Sequence, residues 1–170
     1  QTTKNITLEE DSSWNPAAKL NARTSNRNIV MGLGSTTQAV DFLWSELQGT
    51  AVEEPLSKSS PSAVVDSLGS SRVDFLRGGR TQEGVLFRTR LSLLGDIINA
   101  GVTYSGKPTN KFTDKSYQLF LSASSDRLPI VVTGANDGML HAFAAKTQDG
   151  IQAAEEVFAY IPSWMAPKLP

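Results

Sequence analysis

The clearest patterning in the chain lies toward its C-terminal end. "LPIVVTG" (128–134), "GMLHAFAA" (138–145) and "EEVFAYIP" (155–162) are short runs, apolar or alternating, each bounded by turn-forming residues. Runs of this length and composition read as strands. Pro129 opens the first, where the missing amide hydrogen costs little. Asn136-Asp137-Gly138 joins the first run to the second and is a strong hairpin signal. The polar "KTQDGIQAA" joins the second to the third. The three together predict an antiparallel meander. Upstream, "DIINAGVTYSG" reads as a further strand bounded by glycine. "FTDKSYQLFLSASSDR" places Tyr117, Phe120 and Leu121 at helical spacing, with Thr113 or Asp114 as the cap.

The first half of the chain is less regular. In "PSAVVDSLGSSRVDFLRGG", Val64, Val65 and Leu68 are spaced for one helical face, with Pro61 early enough to be accepted. Ser70 or Ser71 is placed to cap a second short helix ending at Gly78-Gly79. Residues 1 to about 60 are polar and broken, with "NIVMGLG" and "QAVDFLWSEL" as the apolar exceptions. Val40, Phe42 and Trp44 alternate with Asp41 and Leu43, which favours a strand. The expected organisation is a lead-in segment over 1–60 with one or two strands, then a β-rich domain over 61–170. Strand, tight turn, strand, loop and strand make up most of one blade of a β-propeller. At 170 residues the chain is too short for a whole propeller.

Composition narrows the chemistry. Hydrophobic residues make up 39% and charged residues 19%, with a formal net charge of -1, so there is no electrostatic footprint for nucleic acid. No apolar run approaches the length of a membrane span. The chain contains no cysteine, which removes disulfides, thiol nucleophiles and thiolate metal sites. The start, "QTTKNITLEED", lacks the order of a signal peptide and begins with Gln1, which reads as a processed or excised piece.

"GANDGMLHAF" (134–143) holds the only histidine, His141, beside Asp137 and Asn136. A catalytic reading needs a partner for the imidazole, and Ser105, Ser122, Ser124 and Ser125 carry no nucleophile-elbow pattern. A calcium loop needs carboxylates at alternate positions; "ANDGM" offers Asp137 alone and "TQDGI" Asp149 alone. "GLGSTT" (32–37) lacks the lysine of a phosphate loop. The reading that remains is a turn with Gly138 or Asn136 at positive φ, and a structural His141 that packs and donates one hydrogen bond. Asp96 is expected to fix a turn through its side-chain oxygen. Arg77, Arg88 and Arg90 are expected partly to pair with carboxylates such as Asp74, Glu83 and Asp96, orienting loops more than stabilising the fold where the pairs are exposed.

"VVTGANDGMLHAF" followed by "EEVFAYIPSWMAPKL" resembles a signature stretch of the PilY/PilC family of type IV pilus tip adhesin and biogenesis proteins. "VDFLRGG", "FRTR" and "LLGDIINAGVTYSGKP" precede it in the family's order and spacing. The resemblance covers about residues 72–168, and upstream only "RNIV" and "AVDFLWSEL" are similar. The signature positions are Gly95, Asp96, Gly134, Asn136, Asp137, Gly138, His141, Tyr160 and Pro162, all read as structural.

The resemblance implies part of a modified β-propeller, mainly β with a few short helices. It implies a non-enzymatic protein acting in pilus biogenesis against retraction, adhesion and surface sensing, exported to the bacterial surface or pilus tip. Its implied partners are minor pilins or the pilus tip, a host or surface receptor, and the remaining blades of the same protein. Gly79 stands where many members have aspartate, so an Arg-Gly-Asp receptor motif is absent, and Ala100-Gly101 replace a Ser-x-Pro region. The family's aspartate-rich calcium loop follows the Tyr-Ile-Pro strand, which puts calcium control downstream of Pro170 and no cofactor or metal ligand in this segment. Two alternatives have different chemistry. A quinoprotein-type propeller enzyme would need a tryptophan docking motif where Phe158 stands. A carbohydrate-binding β-domain would use Trp14, Trp44 and Trp164 as stacking surfaces, although core packing is the ordinary role of such residues.

Overall fold

A computed structural model describes residues 14–34 and 38–169. The predicted meander forms as β4 (Ile130–Gly134), β5 (Leu140–Ala144) and β6 (Glu156–Ile161). β3 (Val102–Ser105) pairs antiparallel with β4 and extends the meander to four strands. β1 (Ile29–Gly32) then adds to β6 in parallel, and β2 (Ala39–Asp41) adds antiparallel to β1. The result is one mixed sheet of order β2-β1-β6-β5-β4-β3. Residues on both sides of the division expected near residue 60 therefore share one sheet and one core.

Register assigns the faces. His141 lies opposite Thr133 on β4 and Ala159 on β6, and Ala159 lies opposite Ile29 on β1. That face is buried: Ile29, Met31, Ala159 and Ile161 join Phe42, Leu47, Val52, Leu56, Val73 and Ala166 in the core. Those partners come from α2 (Trp44–Leu47), α3 (Glu53–Leu56), α4 (Gly69–Leu76), the 3₁₀ helix Ser163–Lys168 and the loops beside them. A β-bulge between Ala142 and Phe143 pairs Phe143 with Glu156 and leaves Val157 as the extra residue. Strict alternation would put Glu156 on the same face as Phe158 and Tyr160. The bulge returns it to the His141 face.

α5 (Lys115–Ala123) forms where the spacing predicts it, with Asp114 as its cap accepting from the amides of Ser116 at 2.9 Å and Tyr117 at 3.1 Å. Three expectations need correction. Residues 61–68 are not helical, and Val64 and Val65 are 85% and 58% exposed. Asp66 ends that stretch: its carboxylate accepts from the Leu68 amide and pairs with Arg72, a local alternative to helix typical of aspartate. Second, the strand read through Trp44 stops at Asp41, and Trp44 begins α2, where its ring lies against Gly69 with no room for a β-carbon there. The helix α4 ends before Gly78, which sits at φ +114°, but it starts from Leu68 with no side-chain cap.

Candidate functional site

Four charged side chains from separate elements meet inside the sheet's covered face. Arg27, just before β1, grips Glu156 with Nε at 2.7 Å and Nη2 at 2.8 Å. Its Nη1 donates to the Leu76 carbonyl at the end of α4 at 3.3 Å. Glu156 Oε1 also lies 2.8 Å from His141 Nδ1. His141 Nε2 lies 3.0 and 3.1 Å from the two oxygens of Asp137. Asp137 in turn accepts from the amides of Gly95 and Met139, each at 3.1 Å. The side chains of His141 and Glu156 are fully buried, Arg27 is 4% exposed and Asp137 15%. The imidazole stacks on Phe143 with centroids 5.6 Å apart.

Carboxylates only accept, so a histidine held between two of them must carry a proton on each nitrogen. Burial pushes the His141 pKa down, but the hydrogen bonds and charges of Asp137 and Glu156 outweigh it and raise the pKa above the ordinary histidine value. Burial pushes Glu156 up, yet Arg27 and His141 bring it to about 2. Asp137 is lowered in the same way, with His141 overcoming burial. The chain Arg27–Glu156–His141–Asp137 is thus two cations and two anions, neutral as a unit. Buried charges are tolerated only when paired and hydrogen-bonded in this manner.

The arrangement leaves no working base. Both ring nitrogens of His141 are engaged and neither reaches solvent. Ser105 instead accepts from Arg127 at 3.1 Å, and Ser122 and Ser124 belong to α5 and its C-terminal cap. The carboxylates are already committed, and among the described residues no three His, Asp or Glu side chains gather to hold a cation. A groove of about 940 Å³ runs past the outer end of the chain, with Asp137, Phe75, Phe87, Leu94, Met165 and Leu169 in its walls.

Residues 94–169 match the family model described as the PilY1 beta-propeller domain. That span contains Gly95, Asp137, His141 and Glu156; Arg27 lies outside it. Across 99% of its length the chain is 34% identical to the type IV pilus biogenesis factor PilY1 of Pseudomonas aeruginosa strain PAK, of which it spans 15%. It is 36% identical over 71% of its length to a PilY1 homolog of Xylella fastidiosa strain Temecula1, spanning 10% of that protein. It is 34% identical over 92% of its length to PilY1 of Pseudomonas aeruginosa strain UCBPP-PA14, spanning 14%. The chain belongs to the PilY/PilC family. No solved structure matches it. The sheet with its few short helices is a fragment of the family's propeller.

Of the positions expected to form the family signature, Gly95, Asp137, Gly138 and His141 lie at the charge chain, while Gly134 and Tyr160 register on the opposite face of the sheet. Gly95 lies so close to the hairpin that a β-carbon there would stand 2.5 Å from the Asp137 nitrogen. Gly138 has φ +85°, while Asn136 does not take positive φ. Asp96 departs from expectation: its carbonyl accepts from the Asn136 amide at 2.9 Å, and its exposed carboxylate makes no hydrogen bond among the described residues. The side chain that fixes this turn belongs to Asp137, not to Asp96. Gly134 closes β4 opposite Leu140. The Tyr160 hydroxyl lies over Gly32, and Pro162 starts the 3₁₀ turn. His141 accounts for two carboxylates, not the single hydrogen bond expected of it.

The arginine expectations hold in part. Arg90 pairs with Glu83 at 2.8 Å, with both side chains under 10% exposed, so this pair is buried and not superficial. Arg90 also donates to the Phe75 and Gly79 carbonyls and stacks over the Phe75 ring. Arg77 binds the Phe42 and Arg27 carbonyls instead of a carboxylate. Arg88 forms no ion pair among the described residues. Trp14 packs edge-on against Phe143 and Trp44 against the core, whereas Trp164 is 64% exposed. Arg27 and Glu156 were not singled out from sequence. Glu156 sits in an alternating run whose phase is changed by the bulge, and Arg27 sits in a polar stretch without periodicity.

Proposed function

We propose that this segment is a structural, non-enzymatic part of a type IV pilus-associated propeller protein that acts in pilus biogenesis by opposing retraction, and in adhesion and surface sensing. The observation that carries the reading is the self-neutralised charge chain within a segment whose relatives are named type IV pilus biogenesis factors. Its ion pairs join β1, β5, β6 and the β4–β5 hairpin, while its histidine has no free nitrogen for chemistry. On this reading the whole protein is exported to the cell surface or pilus tip. It works there with minor pilins and a host or surface receptor, and the remaining blades complete the propeller. Calcium control is assigned to residues downstream of Pro170. The test is genetic: deletion of the gene should reduce surface pili, attachment and twitching motility. Wild-type piliation and motility in the deletion strain, or dye-linked alcohol oxidation by the quinone-reconstituted protein, would contradict it.

A further inference from the structure

The arm between β3 and β4, residues 106–129, stands outside the core. It carries α5, which buries none of its residues and adds none to the core cluster. The arm is ordered by bonds within itself. The Tyr117 hydroxyl donates to the Thr109 carbonyl at 2.6 Å, and Gln118 Nε2 donates to Asn110 Oδ1 at 2.9 Å and to the Phe112 carbonyl at 2.6 Å. The Tyr117 ring packs edge-on against Phe112 and tilted against Phe120, with centroids 5.1 and 5.8 Å apart. These contacts fix the shape of the arm, yet its large apolar side chains remain in water. Phe112 is 60% exposed, Leu119 63% and Phe120 47%, and Tyr104 on the edge strand β3 is 66% exposed. A helix of nine residues is marginal by itself, and a cluster of exposed apolar side chains marks a contact surface.

The charges of the arm say what meets it. Lys107, Lys111 and Lys115 flank Phe112 in the sequence, are exposed, and form no ion pair among the described residues. Arg127 is exposed as well, with Nη2 donating to Ser105 Oγ at 3.1 Å. The carboxylates of the arm are Asp126 and Asp114, and Asp114 is engaged as the cap of α5. The arm is therefore cationic, although the whole chain has a formal net charge of -1. A purely apolar cover would strip water from the ammonium groups and return nothing for it. We propose that the β3–β4 arm is a membrane-contact element for a bilayer that contains anionic lipid. Phe112, Leu119 and Phe120 enter the boundary between headgroups and acyl chains, and Lys107, Lys111 and Lys115 reach the headgroup phosphates along their flexible stems. Aromatic rings beside lysines are the ordinary composition of segments that lie at this depth. A lipid surface asks for apolar depth and positive charge without a matching shape, and the arm supplies both on an element outside the core.

The test is flotation of the full-length protein with vesicles of phosphatidylglycerol mixed with phosphatidylcholine, against vesicles of phosphatidylcholine alone. Binding to the anionic vesicles should be on the order of tenfold to a hundredfold tighter, and should fall to the control level in about 0.5 M salt. Two variants separate the apolar and the charged contributions. Leu119→Asp, and the triple change Lys107→Gln, Lys111→Gln and Lys115→Gln, should each weaken binding by at least about tenfold. Both should melt like the wild type, because none of these side chains is buried. Binding to the anionic vesicles no tighter than to the control, or undiminished binding by either folded variant, overturns the proposal. The occupant in cells is read with a photo-crosslinking benzoylphenylalanine at position 119. A lipid adduct supports the proposal. An adduct to another protein, as an acidic protein partner would give, or to the rest of the same polypeptide overturns it. Normal pili in the deletion strain would refute the pilus reading and leave vesicle binding unchanged, so the two failures are distinguishable.

Discussion

His141 is charged because its neighbours make it so, and its titration sets a pH window. Its folded pKa is raised, so its contribution is fully present below the ordinary histidine value of about 6.5 and is lost as pH rises through the folded value. Glu156 and Asp137 are lowered, so theirs is present above about 4 and lost as pH falls, through about 2 for Glu156. The melting temperature should therefore be highest between roughly pH 4.5 and 6.5 and decline on the alkaline side. His141→Gln should flatten that alkaline decline and cost on the order of 3 kcal/mol, because one amide cannot replace a cation between two buried carboxylates. Melting curves of both proteins across pH check this, and an unchanged alkaline limb would refute it. At Gly138, φ +85° penalises any β-carbon, and Leu169 Cδ2 stands 2.6 Å from where that atom would be. Gly138→Val should destabilise by about 1–3 kcal/mol in a denaturant titration. The turn was legible because Asn-Asp-Gly chemistry is local. The His141–Glu156 pair was not, because it depends on a bulge that changes which way Glu156 faces.

Among the elements, those built from local signals were readable and those built from distant packing were not. The Asp114 cap and the spacing of Tyr117, Phe120 and Leu121 announce α5, and the turn residues announce β4 to β6. Val64, Val65 and Leu68 have helical spacing, but nothing in the fold receives that face, so Asp66 turns the chain instead. The parallel seat of β1 against β6 joins residues more than a hundred positions apart, and no local pattern encodes it. α5 buries none of its residues. Asp114→Ala should therefore weaken the helix by about 1 kcal/mol and speed amide exchange at Ser116 and Tyr117 while leaving the global melting temperature nearly unchanged. A large global loss would mean that α5 is integral to the core. The Arg90–Glu83 pair is the opposite case. Arg90→Ala removes a buried partner and two bonds to backbone carbonyls, and the melting temperature should drop clearly. An unchanged value would mean that the pair is superficial.

At the scale of the molecule, the charge chain ties the first strand to the last. Arg27 enters the sheet from outside the span matched by the family's propeller model, and its grip on Glu156 holds β1 beside β6. On the proposed reading, these four side chains serve pilus biogenesis by keeping the blade folded, with no chemistry at His141. The most direct measurement is the number of surface pili on cells carrying His141→Gln in the full-length protein, counted at low and high growth temperature beside the melting temperature of the purified variant. The account predicts a lowered melting temperature, pili lost at the higher temperature and restored at the lower. A variant that melts like the wild type yet leaves cells without pili at both temperatures would contradict it.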